Sequence, residues 1–212
     1  MSEIATRHKT DQEHFWAGDF GNAYIERNDN KTLLRSNVAL FSKVLSCTGN
    51  LGSVIEFGPN IGLNLAAIHD LMPNTALHGV EINELACHRL RQRPGVASVR
   101  NDSILSFVPD RKHDLTMAKG LLIHINPDHL PVAYRALYES SQRFVFVCEY
   151  YNPVPVAIPY RGHEDRLFKR DFAGDMMDLY PDLRLVDYGF FYRRDPLFPQ
   201  DDISWFLMEK QG

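Results

Sequence analysis

The stretch Ser53–Asn83, SVIEFGPNIGLNLAAIHDLMPNTALHGVEIN, constrains the chain more than any other. It opens on a short β-branched and aromatic run, Ser53 to Phe57, which reads as a strand. Gly58 and Gly62 bracket a turn. Apolar residues at Leu63, Leu65, Ala66, Ala67, Ile68 and Leu71 then repeat at helical spacing until Pro73. Ala76 to Glu81 reads as a second strand. Strand, glycine turn, helix, strand is the repeating unit of a parallel sheet, because parallel neighbours need a crossover to connect them.

The same alternation runs on. Thr32–Ser46 carries Leu33, Leu34, Val38, Leu40, Phe41, Val44 and Leu45 at helical spacing. Asn83–Arg93 reads as a helix capped by Asn83, and Pro127–Ser140 as a helix with Asn126 as its cap. Val96–Asn101, His113–Lys119 and Arg143–Glu149 read as strands, and Arg166–Tyr180 as a further helix. Leu183–Tyr192 and Ile203–Glu209 are strands joined by RRDPLFPQDD with no helix between them, which points to an antiparallel pair. The expected fold is therefore α/β: a doubly wound, mostly parallel seven-stranded sheet closed by a C-terminal antiparallel hairpin. Residues 32–212 form one domain with an insert at 150–182, and residues 1–31 form an N-terminal lid or cap.

The chemistry of the first turn narrows its ligand. It reads Glu56-Phe57-Gly58-Pro59-Asn60-Ile61-Gly62. A dinucleotide loop closes backbone N–H groups on a pyrophosphate and wants G-x-G-x-x-G. Here Asn60 replaces the middle glycine, Pro59 has no N–H, and Glu56 brings a carboxylate that would repel phosphate. The same carboxylate accepts hydrogen bonds from an ammonium group. Glu81, with Ile82 beside it, closes the second strand where a carboxylate can accept both hydroxyls of a ribose. A cationic, phosphate-free ligand with a free ribose is required, and S-adenosyl-L-methionine (SAM) fits. A nicotinamide oxidoreductase lacks its third glycine, and no G-x-x-x-x-G-K-[ST] is present for a nucleoside triphosphatase.

Composition removes other classes. The net charge of −4 leaves no basic field for nucleic acid, which counts against an RNA-modifying enzyme. No apolar run approaches the roughly 18 residues a membrane span needs. The polar opening MSEIATRHKTDQEHF lacks a secretory core and points to the cytoplasm. Cys47, Cys87 and Cys148 are widely spaced and read as buried or half-buried thiols, and no H-x-x-x-H or C-x-x-C pair suggests a metal.

The alternation and these motifs resemble class I SAM-dependent methyltransferases over roughly Thr32–Glu149. The resemblance implies that Glu56, Gly58, Asn60 and Gly62 hold the methionine end. Asp102 would hold the adenine amino group, with Ser103 and Ile104 beside the ring. Lys119 and Gly120 end the fourth strand at the crevice. His124, in DLTMAKGLLIHINPDHL, falls where such enzymes place a residue beside the methyl donor or substrate, and is the expected base, with Glu149 or Tyr151 as alternates.

The insert EYYNPVPVAIPYRGHEDRLFKRDFAGDMMDLYPDLR carries Tyr150, Tyr160, Arg161, His163, Arg166, Lys169 and Arg170. That local excess of cations suggests a small anionic acceptor, with the aromatic residues offering flat faces to a sugar ring. The N-terminal HFWAGDFGNAYIERN adds Trp16 and Tyr24 as acceptor contacts on a lid. FWAGDFGNAYIERN, EFGPNIGLNL, KGLLIHINPDHLP and the insert together resemble the pseudaminic acid biosynthesis-associated methylases, over nearly the whole chain. That resemblance implies O- or N-methylation of a nonulosonic, carboxylate-bearing sugar or its precursor. The alternatives are another small-acid O-methyltransferase and a non-catalytic SAM-binding partner protein.

Overall fold

The computed structural model describes residues 9–28 and 31–211; residues 1–8, 29 and 30 of the expected N-terminal segment lie outside the described residues. Five strands, β1 (Ser53–Phe57), β2 (Ala76–Glu81), β3 (Val96–Asn101), β4 (His113–Lys119) and β5 (Ser141–Glu149), run parallel. A separate two-stranded hairpin follows, β6 (Val156–Tyr160) and β7 (His163–Lys169). The last two strands, β8 (Leu183–Phe191) and β9 (Ile203–Lys210), pair antiparallel and complete a seven-stranded sheet of order β3-β2-β1-β4-β5-β9-β8. The order reverses between β1 and β4, which opens a crevice at the carboxyl ends of those strands.

Helices cover both faces because the central strands are apolar on both sides. On one face α3 (Lys31–Ser46), α4 (Leu63–Leu71) and α5 (Glu84–Leu90) bury Leu40, Phe41, Val44, Leu65, Ile68 and Leu90 against Leu77, Met117 and Phe146. On the other, α6 (Leu130–Ser140) and α7 (Phe172–Leu179) bury Ala133, Leu137, Phe172 and Met176 against Ile55, Phe57, Val145 and Val147. A helix as short as α4 is marginal alone. Packing holds it: each fully buried Leu or Ile contributes roughly 1.5–3 kcal/mol. Two N-terminal helices, α1 (Asp11–Ala17) and α2 (Asp19–Asn28), lie over the mouth of the crevice. α1 begins with a full capping box, in which Thr10 accepts from Glu13 N–H and Glu13 reaches back to Thr10 N–H.

Three expectations need correction. The helix expected over Arg166–Tyr180 is β7 followed by α7, which Asp171 caps by accepting from Gly174 N–H. Arg161 and Gly162 both take positive φ, 50° and 84°, between the paired residues Tyr160 and His163. A two-residue turn with positive φ at both positions matches strand twist and closes a hairpin, so the Arg-Gly dipeptide turns a helix-like apolar pattern into a strand. The helix expected to start at Pro127 opens with a 3-10 turn, Pro127–His129, after Asn126 caps it, and a further 3-10 turn spans Leu122–His124. Cys47 is exposed rather than buried, whereas Cys87 and Cys148 are buried. Among the described residues no helix is long and apolar enough to cross a membrane, and no group of three His, Cys, Asp or Glu side chains is placed to hold a metal.

Candidate functional site

The turn after β1 is built around backbone conformations that few residues reach. Gly62, at φ 79°, caps α4, and a Cβ there would lie 2.4 Å from Leu90 Cδ1. Asn60 is also left-handed, at φ 51°, a conformation Asn tolerates, and its own Oδ1 accepts from Ile61 N–H at 2.7 Å. Its backbone N–H donates to Glu81 Oε2 at 2.8 Å, while Asn83 N–H donates to Glu81 Oε1 at 2.8 Å. Glu81 therefore ties the first turn to the end of β2. Burial raises its pKa, and the backbone donors partly offset that. Each carboxylate oxygen can accept a second hydrogen bond, so the pair remains available to a diol.

Glu56 lies one layer behind this turn, fully buried, with Oε1 accepting from Asn64 Nδ2 at 2.6 Å and Oε2 without a partner. Burial pushes its pKa up to about 7, against the hydrogen bond from Asn64 and the nearby Lys119 charge. A buried carboxylate oxygen with no donor costs roughly 1–3 kcal/mol or more, and a ligand ammonium would remove that cost. The donor set thus fits SAM: an unsatisfied acid behind the turn, an acid at the end of β2, and Pro59, which offers no N–H.

A cavity of about 610 Å³ opens at the crevice. Gly58, Asn60, Glu81, Ile82, Asp102, Ser103, Ile104, Lys119 and Gly120 all line it, whereas Glu56 and Gly62 stand behind the wall. Asp102 is held by Ser103 N–H at 2.8 Å and Ser106 Oγ at 2.7 Å, both to Oδ1, and lies 3.6 Å from Arg100 through Oδ2. Asn101 fastens this loop to β2 by donating to the carbonyls of Glu81 and Ile82 at 3.0 and 2.9 Å. Gly120 takes φ 66°, which turns the chain sharply out of β4.

The other end of the cavity is aromatic. Trp16, Tyr24, His124, Tyr150 and Tyr160 line it. The Trp16 ring lies 5.2 Å from Tyr24, 4.5 Å from His124 and 6.4 Å from Tyr160. His124 Nδ1 is 2.6 Å from the Arg166 carbonyl, and burial holds its pKa down to about 4, so the ring is neutral near pH 7. A carbonyl only accepts, so Nδ1 carries the proton and Nε2 keeps the lone pair. Arg161 also lines the cavity, from the hairpin turn, with its guanidinium 5.5 Å from the Tyr160 ring centre. Its bond to the Tyr160 side chain raises the Arg161 pKa further.

The remaining expected residues lie elsewhere. Glu149 is buried off the cavity, where Oε1 accepts from Leu121 and Leu122 N–H at 2.9 Å each and anchors the 3-10 turn that carries His124. Burial pushes its pKa up to about 7, the backbone donors opposing. Tyr151 is exposed and packs on Phe206 at 6.0 Å. Residues alternate sides at the end of β5, so Tyr150 enters the cavity and its two neighbours do not. His163 packs on Phe15 at 4.9 Å, Arg166 lies over Phe15 at 5.4 Å, Lys169 lies over Tyr150 at 5.1 Å, and Arg170 pairs with Asp175 at 2.7 Å. The four cations of the insert do not converge; only Arg161 reaches the cavity wall.

The sequence reading missed Gln12, Glu13, Asn37, Arg193, Gln200 and Asp201, all of which line the cavity. Gln200 is buried and donates to Asn37 Oδ1 at 3.2 Å. For Arg193, Gln200 and Asp201 the signal was the loop RRDPLFPQDD, longer than a hairpin needs and of the kind that disproportionately carries binding residues.

No family model and no curated protein matches the sequence. Solved structures do. The 1,6-didemethyltoxoflavin-N1-methyltransferase of Burkholderia thailandensis, with 1,6-didemethyltoxoflavin and S-adenosylhomocysteine bound, is similar with a TM-score of 0.73 at 13% identity, over 100% of this chain and 93% of that one. The magnesium protoporphyrin IX methyltransferase of Synechocystis, with SAM bound, gives 0.66 at 11% identity, over 97% and 100%. The plantazolicin methyltransferase, with S-adenosylhomocysteine, gives 0.65 at 14% identity, over 95% and 94%. The chain has the Rossmann-like fold of class I SAM-dependent methyltransferases.

Proposed function

We propose that this protein transfers a methyl group from SAM to a small-molecule acceptor that carries an anionic group. The observation that carries this reading is the pair of buried acids around a turn hostile to phosphate: Glu56 with one oxygen unsatisfied, and Glu81 fixed by two backbone amides. The solved neighbours, crystallised with SAM or S-adenosylhomocysteine, support the same cofactor. SAM supplies a methyl carbon activated by positive sulfur. Glu56 holds its ammonium, Glu81 its ribose hydroxyls, and Asp102 with Ile82 and Ile104 its adenine.

The remaining work falls to the aromatic end of the cavity. Displacement at the methyl carbon is in line, so acceptor positioning supplies most of the rate. Trp16, Tyr24 and Tyr160 offer flat faces to the acceptor, and α1 and α2 act as a lid that keeps water out. His124 Nε2 takes the proton from a hydroxyl or ammonium acceptor; a carboxylate acceptor needs no base. Arg161 and Arg193 supply the positive charge for the anionic group. A sugar acid of the nonulosonic type, or its precursor, combines the required carboxylate with a ring that stacks on aromatic faces, in keeping with the family resemblance of the sequence.

The experiment is calorimetry with SAM, then a screen of sugar acids and simple carboxylic acids for S-adenosylhomocysteine release. The expected result is micromolar SAM binding and turnover with at least one acid. Binding of NADH in place of SAM overturns the proposal.

A further inference from the structure

His124 owes its lone pair on Nε2 to one backbone carbonyl, that of Arg166, 2.6 Å from Nδ1. The adjacent carbonyl, that of Asp165, accepts from Gln12 Nε2 of α1 at 3.0 Å and from the Arg166 guanidinium at 3.1 Å. A regular strand points successive carbonyls to opposite sides, so in a two-stranded hairpin every other carbonyl is spent on the ladder and no two consecutive ones are left over. β7 is not regular here. Between the pairs Ile158↔Leu167 and Tyr160↔His163 stand residue 159 on one strand and residues 164–166 on the other, which is a bulge. Residue 159 is Pro159, which has no N–H to offer the ladder. Asp165, at the bulge, takes φ 53°. Asp enters this left-handed region with little strain and glycine with none, while a β-branched residue resists it. The missing donor and the left-handed residue together leave two consecutive carbonyls for partners outside the ladder, Gln12 of α1 and His124 among them.

We infer that the Pro159–Asp165 bulge is a positioning device: it holds His124 in the tautomer that presents Nε2 to the acceptor, and Gln12 locks that arrangement to the lid. Asp165 and Gln12 are positioning residues, since neither acts on the reacting atoms. The contact between Trp16 and the His124 ring, at 4.5 Å, places the same lid helix against the same imidazole. Closing α1 over the cavity and setting the base thereby become one event. This inference rests on His124 as the base, but its test does not.

The test is nitrogen NMR of protein labelled at histidine and saturated with S-adenosylhomocysteine, with the His124 signals identified by their loss in His124→Gln. Wild type should show a protonated Nδ1 and a lone-pair Nε2. Asp165→Val should convert this to a mixture of tautomers, and Gln12→Ala should shift it the same way to a smaller extent. Asp165→Gly, which keeps the left-handed turn, should retain the wild-type spectrum. Unchanged S-adenosylhomocysteine affinity verifies that each variant is folded. A wild-type spectrum in Asp165→Val overturns the inference, as does an equal change in Asp165→Gly, which would trace the effect to the side chain instead of the backbone. Full turnover by His124→Gln would retire the base and leave the tautomer result standing, so the two failures are distinguishable.

Discussion

The two ends of the cavity are held by different forces. At the cofactor end, carboxylates and turns are fixed by hydrogen bonds that continue the sheet: Glu81 to two backbone amides at 2.8 Å, and Gly58 N–H to the Val80 carbonyl at 2.8 Å. At the aromatic end, α1, α2, the 3-10 turn of His124 and the β6–β7 hairpin meet through ring contacts of 4.0 to 6.4 Å and a few single hydrogen bonds, such as Gln12 to Asp165. The first end is set by strand termini and gives little latitude. The second is a joint between surface segments, where one contact can be lost and the rest adjust. Substitutions should therefore be severe and specific at one end, graded at the other.

Glu81→Ala tests the rigid end most harshly. It removes both proposed ribose acceptors and leaves the amides of Asn60 and Asn83 without their carboxylate partner. Hydrogen bonds to a charged group contribute about 1.5–3 kcal/mol each, so SAM affinity should fall at least about a hundredfold by calorimetry. A loss of under about threefold would place the ribose elsewhere and erase the contrast.

Glu56 gives a smaller and pH-dependent effect. Its pKa of about 7 belongs to the ligand-free protein, where burial raises it. A bound ammonium favours the ionised form and lowers that pKa, so binding must expel the proton below pH 7. SAM affinity should hold steady above pH 7 and weaken as pH falls, by up to about tenfold per pH unit, because one pKa unit corresponds to about 1.4 kcal/mol. Glu56→Gln should bind more weakly at pH 8 and lose this slope. A flat profile in the wild type would mean that Glu56 does not meet the ammonium.

The same contrast explains what the sequence made legible. The cofactor end lies within Glu56–Ile104, where a local pattern of strand, glycine turn and acid maps onto neighbouring strands. Its strands emerge at the expected residues, because buried parallel strands read as short apolar runs bounded by turns. The aromatic end draws on Gln12, His124, Tyr160 and Gln200, far apart in the chain, and no local pattern announces that they meet. The insert was misread for a related reason. Leu167, Phe168, Phe172, Ala173 and Met176 mimic a helix, and the decisive signal was the two-residue turn Arg161-Gly162. The cluster of cations nearby was visible as charge, but charge in a sequence does not say which face of a hairpin it falls on. Alternation along β7 and the ion pair of Arg170 with Asp175 disperse it.

The cations of the insert offer the gentlest test of the contrast. Arg161 lines the cavity from the hairpin tip, so Arg161→Ala should raise the KM for an anionic acceptor roughly tenfold, the scale of one charge-assisted contact. It should leave SAM affinity unchanged. Arg166 lies over Phe15 outside the cavity, with its guanidinium carbon 5.4 Å from the ring centre. A half-buried cation over a ring contributes about 0.5–2 kcal/mol, and that energy holds α1 to the hairpin, not the acceptor to the site. Arg166→Ala should therefore change the acceptor KM by less than about threefold while loosening α1, read as faster hydrogen exchange in the amides of residues 11–17. If instead Arg166→Ala matched Arg161→Ala in KM with no change in exchange, the acceptor end would be a charge clamp and not a joint, because only a direct contact with the anion moves KM without moving the lid.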